Sequence, residues 1–301
     1  KLDNSVFTFS TDYSDSDFKI EWDKVLEIKS QRTFIMAFSD GVRVTGNLNS
    51  IPETDKMVRV VFDGQTEEES LNDLIFLEPI GKGALSNLSI DVDLGITLTK
   101  ANNFRQLNTY IGGTYLAKRW NANAFFKTVL SSQDNTADIR RMDAELGGQY
   151  FLPHDWFVTA RAKYLANDEQ LLDLRQTYQA GVGYYFIHNN SMYLALSGGA
   201  AVTSEVYTNE NPERNSAEGF VGLGFQKYSI GDLSFLTTAA LYPSFTESGR
   251  YRVDLNGDLK YDLPLDFYIK LSITYNYDSQ PTEGAADSDY VFTTSFGWEF
   301  N

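Results

Sequence analysis

The sequence predicts an all-β chain: a transmembrane antiparallel β-barrel of about twelve strands with a small β domain in front of it. Three observations predict this. Apolar and polar residues alternate with a period of two in segment after segment from Leu88 onward. The stretches joining those segments alternate between short and long. The last segment carries aromatic residues at alternate positions up to the C-terminus. A period of two sends the two residue sets of a strand to opposite faces, without saying which face meets apolar surroundings.

Composition sets the bounds. The 301 residues are 42% hydrophobic and 14% aromatic, enough for two domains. With 41 acidic and 25 basic residues the formal net charge is −16, which disfavours binding to nucleic-acid phosphates. There is no cysteine, so a disulfide framework and a thiolate metal site are excluded. No apolar run approaches the roughly 18 residues of a transmembrane helix. That says nothing against a barrel, whose apolar face is hidden in the alternation. The first residue is Lys1, so any secretory signal is expected to have been removed or to lie outside the numbered chain.

Residues 1–80 read as a small β domain, 81–87 as a linker and 88–301 as the barrel. In the first part "VFTFSTD", "FKIEWDKVLEIKS", "TFIMAFSDGVRVTGNL" and "MVRVVFDG" read as short strands, with a hairpin turn at Asp40-Gly41. About five strands in so few residues suggest an Sm-like or SH3-like barrel or sandwich. The run Glu67-Glu68-Glu69 reads as a solvated loop. Pro79, Gly81 and Gly83 then break regular structure.

The barrel segments follow in order. "LSIDVDLGITLT" sets Leu88, Ile90, Val92 and Leu94 against Ser89, Asp91 and Asp93. "RRMDAELGGQYFL" sets Met142, Ala144 and Leu146 against Arg141, Asp143 and Glu145. "WFVTARAKY" sets Trp156, Val158 and Tyr164 against Thr159, Arg161 and Lys163. "YRVDLNGDLKYD" sets Tyr251, Val253, Leu255 and Leu259 against Arg252, Asp254, Asp258 and Lys260. "FYIKLSITYNY" sets Phe267, Ile269 and Leu271 against Tyr268, Lys270 and Ser272. Such segments run to roughly 9–13 residues, the length a tilted strand needs to cross a bilayer.

The connections give the topology. After a modest first loop, "KRW", "LPHD", "IHNN", "SIGD" and "LPLD" alternate with "SSQDNTAD", "ANDEQLLD", "SEVYTNENPERNS", "TESGR" and "SQPTEGAADSD". Short turns on one side and longer loops on the other are the habit of outer-membrane barrels. Trp120, Trp156, Phe186 and Phe267 flank the short turns as an aromatic girdle would, with Phe151 and Tyr228 beside them. In "YVFTTSFGWEFN" the residues Phe296, Trp298 and Phe300 share a face with Tyr290 and Phe292. Five aromatics turned to water would be an aggregation hazard, so this face is assigned to lipid and its charged partners to the lumen. The ending resembles the C-terminal signal that barrel-assembly machinery reads in its clients.

The two-part layout, carried by "DFKIEWDKVLEIKS", "FSDGVRVTGNL" and the C-terminal barrel, resembles the bacterial outer-membrane family catalogued as domain of unknown function 481, described as salt-induced outer-membrane proteins. Ile20, Trp22, Val25 and Ile28 stand where that family has a strand and turn, and Asp40, Gly41 and Gly46 where it has a turn and strand. The resemblance implies a β-barrel fold and an outer-membrane location. It brings no catalytic residues.

Chemistry is scarce. A barrel phospholipase needs a serine nucleophile and a histidine base, but His154 and His188, the two histidines, fall in short turns of different hairpins. Asp254, Asp258 and Asp262 crowd one strand, yet Arg252 and Lys260 alternate among them, which reads as ion pairing. The glycines of "GGTY", "GVGYY", "GGAA" and "GLGF" sit within strands, where they admit curvature and large neighbours. The loops are acidic, with no EF-hand spacing at "SQPTEGAADSD".

The expected lumen is an ion-paired network of Asp91, Asp93, Arg141, Asp143, Glu145, Arg161, Lys163, Arg175, Arg252, Asp254, Asp258, Lys260, Lys270 and Glu299. Lys127, Glu218 and Asp262 join the count on the same parity, and the two signs nearly cancel. A selective pore carries an excess of one sign, whereas an occluded barrel pairs its charges. Tyr110, Phe125, Tyr185, Tyr193 and Tyr268 are assigned inward and narrow the bore. The expectation is a non-catalytic outer-membrane component without cofactor or metal, an accessory or structural part of an outer-membrane protein assembly with its N-terminal domain periplasmic. The alternative is a narrow, porin-like solute or ion channel. Expected partners are outer-membrane lipid, the barrel-assembly machinery during biogenesis, and a protein in the outer membrane or periplasm, but no nucleic acid.

Overall fold

A computed structural model describes residues 2–3, 5–9, 11, 18–79, 88–100, 103–117, 119–135, 137–208, 213–230 and 232–300. The linker expected at 81–87 lies outside them, as do residues 101–102 and 209–212.

Among the described residues the N-terminal part holds eight strands where about five were expected. They are β1 (Leu2–Asp3), β2 (Val6–Phe9), β3 (Phe18–Glu21), β4 (Lys29–Phe38), β5 (Arg43–Ser50), β6 (Met57–Phe62), β7 (Gln65–Ser70) and β8 (Leu74–Pro79). All belong to one antiparallel sheet in the order β3-β2-β1-β8-β4-β5-β6-β7. Alternation builds its core: Val44 and Leu48 from β5 and Val58 and Val60 from β6 bury against Met36, Phe38, Leu71, Leu74 and Leu77.

Two expectations are corrected here. "FKIEWDKVLEIKS" is not one strand, because β3 ends at Glu21 and Trp22–Lys24 form a 3-10 turn. That turn buries Trp22, whose Nε1 donates to the Leu71 carbonyl at 2.8 Å. Glu67, Glu68 and Glu69 form strand β7 at the sheet edge instead of a loop, where carboxylates discourage further pairing. The Asp40-Gly41 turn is present: Gly41 takes φ +81° and donates to the Phe38 carbonyl, and Asp40 Oδ1 accepts from the Val42 amide.

Residues 88–300 form a closed antiparallel barrel. Its twelve strands are β9 (Leu88–Thr99), β10 (Phe104–Leu116), β11 (Trp120–Ser132), β12 (Ile139–Phe151), β13 (Trp156–Asn167), β14 (Leu172–His188), β15 (Met192–Tyr207), β16 (Arg214–Ile230), β17 (Leu233–Pro243), β18 (Tyr251–Asp262), β19 (Phe267–Asp278) and β20 (Ser288–Phe300). Each pairs with its neighbour in sequence, and β20 returns to β9. At one end the connections take two to four residues, and at the other four to nine. Strands β15 and β16 run into the stretch read as the loop "SEVYTNENPERNS", reaching Tyr207 and resuming at Arg214. The wall is therefore taller at the long-loop end than the sequence pattern suggests.

The N-terminal sheet meets the short-turn end. Lys19 Nζ lies 2.5 Å from Asp266 Oδ1, Asn190 Nδ2 donates to the Asn72 carbonyl at 2.8 Å, and the Arg43 guanidinium sits 3.8 Å above the Phe151 ring. Gly41 approaches so closely that a Cβ there would stand 2.6 Å from the Asp155 amide nitrogen. Burial at this junction pushes the Arg43 guanidinium down to about 10.

Candidate functional site

The two faces of the barrel wall are told apart by contacts that only the interior permits. Arg141 on β12 bonds Asn276 on β19 at 2.5 Å and Asp289 on β20 at 2.5 Å. Lys163 on β13 meets Asp254 on β18 at 3.4 Å, and Arg175 on β14 meets Asp278 on β19 at 3.5 Å. Such partners stand up to five strands apart in the ring, so their side chains cross the bore. On the opposite parity Leu146, Val182, Val221, Leu259 and Ile273 are exposed. In water that band would be a large apolar patch; around an antiparallel barrel it is a lipid-facing surface. Trp120, Trp156, Phe186 and Phe267 belong to this outer surface near the short turns, and Phe296 and Trp298 to its last strand. Phe300 joins the ladder through its backbone, opposite Ile90.

The densest polar cluster lies towards the long-loop end. Arg250, from the 244–250 loop, is wholly buried and donates to both carboxylate oxygens of Glu205, at 2.9 and 2.8 Å. Its Nε and Nη2 also reach Asp278, at 3.0 and 2.5 Å. Arg175 holds Glu205 from the other side at 2.6 Å, and Tyr207 Oη donates to it at 3.0 Å. One layer deeper, Arg252 pairs with Glu218 at 2.6 Å and donates to Thr203 Oγ1 at 3.1 Å. Lys163 also donates to Tyr242 Oη at 2.9 Å, which in turn donates to Gln179 at 2.8 Å. Arg141 forks onto both oxygens of Asp143, and Asn167 adds a bond to Asp289 at 2.8 Å. Each charge of this cluster is thus held by an opposite charge, as low-dielectric burial demands.

The short-turn half is built the same way with fewer bases. Asp93 accepts from Tyr268 Oη and pairs with Lys270, while Lys260 pairs with Glu299. Arg161 reaches Glu145 at 3.6 Å. Asp91 and Asp258, expected in the network, form no ion pair within 4.0 Å among the described residues; Asp258 instead accepts from Ser272 Oγ at 2.5 Å. Lys127 donates to Thr274 Oγ1 at 3.0 Å across the bore.

Aromatic rings fill what the charges leave. Tyr110 stacks on Phe125 with ring centres 5.9 Å apart, and Phe157, Tyr185 and Tyr193 form a chain at 4.9 and 5.7 Å. Gly183 makes room for Phe157, whose ring would lie 2.2 Å from a Cβ on that glycine. A cavity lined by Lys127, Asp143, Arg175, Arg252 and Asp254 among others measures about 80 Å³, room for a few water molecules. His188 Nδ1 lies 2.8 Å from Asp155 Oδ1, and its ring stacks on Tyr185.

Sequence reasoning missed Glu205, Arg250, Asp278, Asp289 and Tyr242. Glu205, Asp278 and Asp289 keep the inward parity of Thr203, Asn276 and Thr293 but fell in or beside stretches assigned to loops. Extending the alternation until it failed, instead of stopping at the first turn-forming residues, finds them.

The family described as "Protein of unknown function, DUF481" matches residues 92–300. That match falls on the barrel, whereas the segments quoted for the resemblance in residues 17–48 lie outside it. Among curated proteins none matches the sequence. Among solved structures the KdgM porin in complex with disordered oligogalacturonate is 8% identical, with 71% of this chain and 99% of that one covered at a TM-score of 0.36. The translocator domain of autotransporter NalP from Neisseria meningitidis is 11% identical over 71% of this chain and 86% of that one, at 0.37. A porin refined at 1.8 Å is 11% identical over 89% and 98%, at 0.32. Likenesses of this size add nothing to the barrel's own geometry.

Proposed function

This chain belongs to the DUF481 family, proteins of unknown function, and we propose for it a non-catalytic role in the outer membrane, as an accessory or structural component of an outer-membrane protein assembly. In this reading the barrel is an anchor with a closed bore. It holds the N-terminal sheet on the short-turn side, which is the periplasmic side in barrels of this type, and that sheet or the barrel wall serves a protein partner.

The observation that carries the reading is the set of side chains spanning the bore: Arg141, Lys163 and Arg175 join walls four or five strands apart. Eight strands enclose a bore that side chains fill, and 16–18 leave an aqueous channel. Twelve fall between, so the filling depends on long charged residues reaching over. A selective conduit would instead line its wall with charges free to meet a solute.

Planar-bilayer recording of the purified protein tests this. No steady conductance is expected. A steady open-channel current would replace this reading with the narrow porin-like one, and lipid or peptide hydrolysis lost on a single serine or aspartate substitution would make it an enzyme. Proteins that co-purify after mild detergent extraction would then identify the assembly.

A further inference from the structure

We infer that the seam between β9 and β20 is open in its long-loop half and takes up an amphipathic β-strand from another polypeptide in the membrane. Every other neighbouring pair in the barrel is joined by at least eight residue pairs, against five here. Between β20 and β9 the ladder covers only Ile90–Leu94 against Phe296–Phe300. Above it, Gly95–Thr99 of β9 pair with β10 alone, and Ser288–Ser295 of β20 with β19 alone. Both strands therefore present backbone donors and acceptors to the gap.

Three further observations agree. The four most exposed large apolar side chains on the barrel strands are Leu98 (74%), Tyr290 (73%), Ile96 (63%) and Phe292 (62%), all flanking this gap. On its inner side the Thr293 hydroxyl is buried without a hydrogen-bond partner. Beside the gap, Asp289 of β20 is held by Arg141 of β12 and Asn167 of β13, strands that lie beyond β9 in the ring. At the fork the Thr294 carbonyl oxygen lies 2.8 Å from where a Cβ on Gly95 would stand, and the strands part beyond that contact.

The chemistry of the gap selects its occupant. Lipid tails offer no hydrogen bonds, so unpaired backbone groups at membrane depth have to be met by protein. The lumen side of the gap is polar and its outer side apolar, which is the two-faced character of a transmembrane strand. A strand of alternating polar and apolar residues satisfies both edges by β-augmentation. A helix, a polar peptide or a single lipid satisfies neither.

The chain has no cysteine, so thiols can be introduced one pair at a time. In outer-membrane vesicles, Val92→Cys with Trp298→Cys occupies a paired position and should form a disulfide under mild oxidation. Thr97→Cys with Thr293→Cys lies three pairs beyond the ladder in the same register and should stay reduced. Single Thr97→Cys protein in vesicles is then offered a cysteine-bearing synthetic peptide of sequence Leu88–Thr99, or its scrambled counterpart. Capture of the native-order peptide should exceed that of the scrambled one roughly ten-fold. Complete oxidation of Cys pairs at 97 and 293, equal capture of both peptides, or linkage only to a second copy of the chain each overturns the inference. It rests on the membrane reading above but not on the closed bore: a conducting barrel would leave this result standing, and a closed seam would leave the bore unaffected.

Discussion

Replacing Arg250 by alanine tests whether the mouth cluster is assembled as described. The substitution removes four hydrogen bonds, two to Glu205 and two to Asp278. Taking one partner from a buried ion pair costs about 3–5 kcal/mol when nothing replaces it. Here Arg175 still holds Glu205 at 2.6 Å and Asp278 at 3.5 Å, and Tyr207 still donates to Glu205. Water can also follow the vacated side chain in from the loop end. A loss of about 2–3 kcal/mol is therefore expected. Arg250→Lys keeps the charge but loses the planar fork that serves both carboxylates at once, so it should recover only part of that. Adding Glu205→Gln to Arg250→Ala removes the surplus negative charge, and the two changes should cost about 1–3 kcal/mol less together than as a sum. Urea unfolding in lipid vesicles, followed by fluorescence of Trp120, Trp156 and Trp298 on the outer face, reads all three. If Arg250→Ala stays within about 0.5 kcal/mol of the parent, as exposed loop substitutions do, the loop does not insert and the mouth is open.

Three other outcomes are expected. Leu255→Arg, on the lipid-facing parity of β18, should cost roughly 2–4 kcal/mol in the same assay while Leu255→Ala costs less; a silent Leu255→Arg would mean that the faces are reversed. Gly183→Ala should cost about 1–3 kcal/mol because its methyl group meets the Phe157 ring, and Gly183→Ala with Phe157→Leu should recover most of it. Arg43→Ala removes the guanidinium from above Phe151, an interaction worth about 0.5–2 kcal/mol, and should speed protease cleavage between the N-terminal sheet and the barrel without altering barrel unfolding.

The barrel was legible because a membrane imposes one rule on every strand. Leu146 and Ile273 have to face lipid and Glu145 and Ser272 have to turn away, so a short stretch reveals the plan and the rest repeats it. The short turns were legible for the same reason, since Pro153 and Pro264 interrupt the alternation at the bilayer edge. The partners inside were not. Period two says that Arg175 points inward, but its choice of Glu205 and Asp278 depends on register and on curvature summed round the ring. Arg250 was hidden further, because a loop residue that folds back into a bore leaves no periodic trace. In the N-terminal part, β7 was missed because its edge position spares it from burying a hydrophobic side. Trp22 looked like a strand residue because its neighbours alternate, while its indole is fixed by a carbonyl 49 residues away.

The reach of Arg141, Lys163 and Arg175 across the ring also bears on how the molecule comes into being. Pairs between neighbouring strands form as soon as two strands meet, whereas these bonds join β12, β13 and β14 to β18, β19 and β20. Until the final three strands arrive, Lys163 lacks Asp254, and Arg141 and Arg175 keep only the carboxylates of Asp143 and Glu205, on a sheet whose other side already seeks lipid. A half-built wall is therefore a poor resident of a bilayer, and loop-closure entropy delays every one of its cross-bore bonds to the end. Assembly of this chain is then expected to end abruptly: near-neighbour pairs such as Arg175–Glu205 accumulate strand by strand, and the bonds that cross the bore appear together when the ring shuts.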